Sequence, residues 1–176
     1  MRVDVAPQHL EAIPGVTQFV TITVTNTADV IGGYLVRVLG ADPDWVQLDA
    51  SALSIFPEAS ASTTLRIQVP AGLSAGVRRI GVQVRELTPP ESISVEEIDL
   101  EVSPAPQMRL SLDATTVSGG AKGSTSLRVE NTGNTVLSGR LVAKDPEDGV
   151  AFAFGPERVK LSPGARAAVD VGLKAR

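Results

Sequence analysis

His9 is the only histidine in the chain, so acid–base or metal chemistry has a single imidazole available. It lies in Gln8-His9-Leu10-Glu11. No G-x-S-x-G elbow or similar serine context would make it a general base, and the stretch predicts an exposed loop histidine. Asp42-Pro43-Asp44 and Asp145-Pro146-Glu147-Asp148-Gly149 gather carboxylates of the kind calcium uses. Calcium takes about six to eight oxygens from a shaped loop. Neither run has EF-hand spacing, and Asp-Pro opens turns in its own right. Both are read as turns, and the sequence does not decide whether Asp42 or Asp145 also holds an ion. Glu96 and Glu97 are neighbours on a strand, so they point to opposite faces and cannot act as a facing acid/base pair. The run from Ser118 to Ser124 has phosphate-loop composition, but Gly-Lys-Ser/Thr is absent and no helix follows. It predicts a hairpin loop. Trp45 could stack a ligand, but in a chain only 3% aromatic it is read as a core or end-cap residue. No cysteine is present, which excludes disulfides, thiolate metal sites and a cysteine nucleophile. No catalytic, cofactor-binding or metal-binding residue is assigned, and the chain is predicted to be a non-enzyme without a cofactor.

The elements that carry these residues repeat. Val20-Thr21-Ile22-Thr23-Val24-Thr25-Asn26-Thr27 reappears as Thr125-Ser126-Leu127-Arg128-Val129-Glu130-Asn131-Thr132. Both runs alternate apolar and polar residues, the signal of a half-buried strand. Met1 to Val5 answers to Met108 to Leu112, and Tyr34 to Leu39 answers to Arg140 to Ala143. Leu53-Ser54-Ile55 before Pro57 answers to Val159-Lys160-Leu161 before Pro163, and Thr63 to Val69 answers to Val169 to Leu173. No segment sustains a helical period. About seven strands separated by turn signals predict an immunoglobulin-like sandwich. The expected fold is therefore all-β: two tandem immunoglobulin-like sandwiches, residues 1–102 and 108–176. Residues 103–107, with two prolines in Ser103-Pro104-Ala105-Pro106-Gln107, are read as a semi-rigid spacer.

In this alignment Arg176 falls opposite Pro70, so residues 71–102 have no counterpart and the second sandwich is expected to lack its last two strands. In the first copy those strands would bring Ile80, Val82, Val84, Ile98, Leu100 and Val102 to the core. At roughly 1.5–3 kcal/mol per buried side chain, such a set rivals the whole net stability of a domain, about 5–15 kcal/mol. Residues 108–176 are thus expected to have an open edge that takes a strand from a protein partner or a second protomer, or else the natural chain continues. Within the strand leading to Val102 the apolar phase shifts at Glu96-Glu97, which predicts a β-bulge or the end of a loop.

Net charge is −4 with pI near 5.0. The one adjacent basic pair, Arg78-Arg79, reads as solvent-facing, so nucleic acid is not expected. No signal-peptide pattern and no membrane-spanning apolar run is seen, which predicts a cytoplasmic protein, or an extracellular one if this is a fragment of an exported chain.

The run ending Thr25-Asn26-Thr27-Ala28, with Trp45-Val46-Gln47-Leu48 and Phe56-Pro57 downstream, resembles prokaryotic immunoglobulin-like accessory modules of the NEW3 and CARDB type. The first copy follows that pattern nearly end to end, with Pro57-Glu58 in place of Pro-Gly. The second keeps Asn131-Thr132-Gly133 and Pro163-Gly164 but has no tryptophan. The resemblance implies a non-enzymatic scaffold or protein-binding module in a larger protein or assembly. It also allows a carbohydrate- or surface-binding adhesion module, for which the aromatic content offers little support.

Overall fold

Alternation at period two along nearly every segment leaves the chain one way to bury its apolar residues, sheet against sheet. The computed structural model describes residues 1–176 and is all-β, with no α-helix and a single 3₁₀ turn at Pro43–Trp45. The chain divides into two compact units, Met1–Ser103 and Pro104–Arg176.

The first unit contains β1 (Arg2–Ala6), β2 (His9–Ala12), β3 (Gln18–Thr25), β4 (Gly32–Leu39), β5 (Val46–Leu48), β6 (Ala52–Ile55), β7 (Ser60–Ile67), β8 (Gly76–Glu86) and β9 (Ile93–Val102). One sheet has the order β1-β3-β7-β5, the other β2-β9-β8-β4-β6, the layout of an immunoglobulin-like sandwich. Val20, Ile22, Val24, Leu65 and Ile67 from the first sheet meet Ile80, Val82, Val84, Ile98, Leu100 and Val102 from the second, all fully buried.

Two expectations are corrected here. His9 lies on a strand, not in a loop: after Pro7 the chain leaves the first sheet, and β2 pairs in parallel with β9 from His9↔Asp99 to Ala12↔Val102. Leu10 and Ala12 enter the core while His9 and Glu11 face out, an alternation too short and polar to stand out in the sequence. There is also no bulge at Glu96-Glu97. The β8–β9 register runs unbroken from Gly76↔Val102 to Arg85↔Ile93. The phase shift arises because Ile93 and Val95 sit on the outer face, 61% and 49% exposed.

The second unit contains β10 (Met108–Leu112), β11 (Lys122–Asn131), β12 (Leu137–Arg140), β13 (Val150–Gly155), β14 (Arg158–Leu161) and β15 (Arg166–Ala175). Its four-stranded sheet, β10-β11-β15-β13, repeats the order of β1-β3-β7-β5. Its other sheet is only β12-β14, with nothing in the places of β2, β8 and β9.

Both units turn on the same buried asparagine at the end of the second strand of the four-stranded sheet. Asn26 is fully buried. Its Nδ2 donates to the carbonyls of Val30 (2.7 Å) and Ile55 (2.9 Å), and its Oδ1 accepts from the amide of Ala28 (2.9 Å). Asn131 does the same with Thr135 (2.8 Å), Leu161 (3.0 Å) and Gly133 (3.1 Å). Ile55 ends β6 and Leu161 ends β14, so each side chain shapes its own turn and ties one sheet to the other. The turns after β6 and β14 also agree: Gly164 has φ 75° and Glu58 has φ 56°. A non-glycine residue in that left-handed region costs about 1–2 kcal/mol, and the first copy tolerates it where the second has glycine.

Gly133 shows why the second copy keeps Asn-Thr-Gly. A Cβ there would lie 2.4 Å from the Gln107 amide nitrogen and 2.5 Å from the Ala105 carbonyl oxygen. That close approach lets the Gly133 amide bond Gln107 and lets Asn134 Oδ1 accept from Ala105 at 2.6 Å. Within the run read as a spacer, residues 105–107 therefore belong to the second unit, whereas Ser103 bonds Ala12 and Glu11 of the first.

Tyr34, the only tyrosine, is fully buried on β4, and its hydroxyl has no hydrogen-bond partner. Burial pushes its pKa up, and the negative charge of Glu86, its cross-strand neighbour on β8, pushes it further.

Asn26→Ala strands two carbonyls and one amide, and it should cost the first unit about 2–4 kcal/mol. Asn131→Ala should act likewise on the second. Urea unfolding of the whole chain reads both, with exposed Thr27→Ala as the control; equal effects of Asn26→Ala and Thr27→Ala would refute the bridging role. For Tyr34, the raised folded pKa means its stabilising contribution is intact below the unfolded value, about 10, and fades as pH rises through the folded value. Tyrosinate absorbance should therefore develop at higher pH in the native chain than in urea, and coincident curves would contradict this.

Candidate functional site

In the first unit the leading residues of β4 pair with β6, from Gly32↔Ile55 to Leu35↔Ala52, while Tyr34 to Leu39 pair with β8. β4 thus has a partner on each edge, β6 along its first half and β8 along its second, overlapping at Tyr34 and Leu35. The second unit supplies only the first of these: β12 pairs with β14 from Leu137↔Leu161 to Arg140↔Arg158. The Leu141 amide still reaches the Glu157 carbonyl at 2.8 Å, and there the ladder stops. Val142, Ala143 and Lys144 continue the chain with no strand beside them, and Val142 is 78% exposed.

The same gap uncovers the four-stranded sheet. Near Asn131, where β12 and β14 lie over it, Val129, Val159, Leu161 and Val169 make a small core. Further along, Leu112, Leu127, Phe152, Phe154, Val171 and Leu173 line an open apolar groove of about 460 Å³, with Val142 at its margin. Register identifies Leu112, opposite Leu127, as the counterpart of Val5, opposite Ile22. Val5 is 6% exposed and Leu112 is 47% exposed. Its hydroxyls, Ser111, Thr115 and Thr125, have no acidic or basic side chain beside them in the lining. The groove can accept alternate apolar side chains, and residues 142–144 offer backbone donors and acceptors beside it.

The residues singled out for chemistry lie elsewhere and apart. His9 is exposed, with Nε2 3.6 Å from a Glu101 carboxylate oxygen. Asp42 Oδ1 accepts from the Asp44 amide at 3.0 Å and caps the 3₁₀ turn. Asp145 accepts from the amides of Glu147, Gly149 and Val150 at 3.3, 2.9 and 3.0 Å. Both carboxylates are thus turn caps, and no three His, Asp or Glu side chains converge to hold a metal ion. Of the run from Ser118 to Ser124, residues 122–124 already belong to β11. Arg79 faces solvent and pairs with Asp99 (3.1 Å) and Glu97 (3.6 Å). Trp45 is half-buried against the edge of the first core. No helix is long and apolar enough to cross a membrane.

No family model matches the chain, and no curated protein matches it. Solved structures similar to it include a protein of unknown function from Porphyromonas gingivalis W83, 15% identical, over 98% of this chain and 83% of that one with a TM-score of 0.47. The Pseudomonas aeruginosa CupB2 chaperone is 10% identical over 94% of this chain and 87% of its own, with a TM-score of 0.43. The E. coli chaperone DraB is 10% identical over 96% and 85%, also with a TM-score of 0.43. Likeness at this level transfers no chemistry.

Amides of residues 142–144 should exchange about a hundredfold faster than those of residues 36–39 in the dilute chain, because only the latter are paired with a neighbouring strand, β8. Residue-resolved hydrogen exchange reads the difference, and matched protection would show that the second unit closes by itself.

Proposed function

We propose that this chain is a non-enzymatic protein-interaction module whose second unit binds an extended strand or hairpin of another chain. The carrying observation is the open groove on the inner face, where Leu112 is exposed and Phe152 and Leu173 are only half-buried, next to the unpaired backbone of residues 142–144. The first unit indicates the chemistry of the occupant. There the equivalent face is covered by β8 and β9, and β8 runs antiparallel to β4 while presenting Ile80, Val82 and Val84 inward. The partner is accordingly a β-segment with Val, Ile or Leu at alternate positions, paired antiparallel to residues 141–144. Main-chain bonds would supply affinity and the apolar groove specificity, as in other strand additions. A second protomer or a different protein can fill the role.

Light scattering across a concentration series, combined with hydrogen exchange, tests it. The expected result is either association that protects residues 108–176, or a monomer whose groove strands exchange fast until a partner is added. Leu112→Asp, at a position exposed in the single chain, should abolish association and leave the first unit intact. A monomer with strongly protected amides throughout residues 108–176 would overturn the proposal.

A further inference from the structure

Phe19 breaks the pattern of its strand. β3 turns Val20, Ile22 and Val24 inward and Thr21, Thr23 and Thr25 outward, yet Phe19, on the outward phase, is 57% exposed. Elsewhere that outer face carries hydroxyls bonded across strands: Thr23 to Ser62 at 2.9 Å and Thr25 to Ser60 at 2.8 Å. Phe19 stands beside a groove of about 940 Å³ on the first unit, lined also by Trp45, Gln47, Asp49, Arg66 and Gln68. Cross-strand pairing sets Phe19, Arg66 and Gln47 in one row over β3, β7 and β5. Arg66 Nη2 is fixed by Asp49 Oδ1 at 2.5 Å. Trp45 is held by the 3₁₀ turn and by the Gln68 amide, which donates to its carbonyl at 2.9 Å. Two of the six aromatic side chains in the chain thus share one groove with planar polar groups that are held in place.

We propose that this groove binds a neutral glycan. A pyranose has an apolar C–H face and a rim of hydroxyls, each both donor and acceptor. Phe19 and Trp45 offer apolar aromatic surface for the first, and Gln47, Arg66 and Asp49 offer forked donors and acceptors for the second. Arg66 and Asp49 offset each other and Asp44, also lining the groove, leaves it negative, so uronates, sulfated sugars and nucleic acid are disfavoured. An extended peptide is disfavoured for a different reason. Over β3 and β7 the backbone groups are already spent on the ladder, and the one sheet edge beside the groove, β5, is only three residues long, too short a template for strand addition. This inference goes beyond the protein-binding reading and does not depend on it, since the two sites lie on different units.

The test uses the whole chain in affinity gels containing hydroxyethylcellulose, galactomannan, mixed-linkage β-glucan or dextran, followed by titration with the matching oligosaccharide. Trp45 is the only tryptophan, so its emission reports on the groove alone. The expected result is slowed migration in at least one gel and a saturable change in emission. Phe19→Ala and Gln47→Ala should each weaken binding by about tenfold, the size expected for losing one aromatic or bidentate contact. Trp45→Phe, which keeps an aromatic on the core edge, should also weaken it, and Leu112→Asp should not. The proposal fails if all four polysaccharides leave migration unchanged, or if Phe19→Ala binds undiminished. It fails equally if an alternating apolar peptide changes Trp45 emission and the glycans do not.

Discussion

One buried amide holds each unit together. A sandwich needs its sheets in fixed register, and apolar packing alone is non-directional. Asn26 and Asn131 supply direction. Each side chain spends both of its Nδ2 hydrogens and its Oδ1 on named backbone groups, and one of those groups is in the opposite sheet. Buried polar groups bonded this fully specify geometry, because any other arrangement leaves one unpaired. The turn, the meeting of the sheets and the start of the core all follow from it.

That shared corner makes the difference between the units informative. Around Asn131 the second unit reproduces the first: the same three partners, the same strand order and the same turn before the last long strand. Away from the corner the resemblance depends on cover. Where β8 and β9 lie over the first sheet, the inner-face residues Val20, Ile22 and Val24 are fully buried. Where nothing lies over the second, leucine and phenylalanine line an open groove. The residue types are apolar in both places, so burial here is decided by neighbours.

Strand content and facing were legible from alternation alone, and Ile80, Val82, Val84, Ile98, Leu100 and Val102 lie where their spacing put them. The hidden parts were those whose signal is local and short. In β2, Leu10 and Ala12 make the whole apolar face, and pairing with a strand far along the chain makes it structural. Ile93 and Val95 mimicked a bulge, because period-two reasoning assumes that every apolar residue faces inward. In the sequence Asn26 and Asn131 stand out only as part of the repeated run, and their bonds to Ile55 and Leu161 join residues remote in sequence that spacing does not connect. Phe19 did have a readable signal: a large aromatic on the hydroxyl phase of a strict alternation.

The parallel pairing of β2 with β9 has a mechanical meaning. These strands lead to the two ends of the first unit, side by side and pointing the same way, from His9↔Asp99 to Ala12↔Val102. Tension applied between Met1 and Ser103 pulls them in opposite directions along their length. The hydrogen bonds between them then bear load together in shear, where an antiparallel pair pulled from one end would unzip bond by bond. A chain that changes sheets at Pro7 has thereby given its first unit a clamp against stretching.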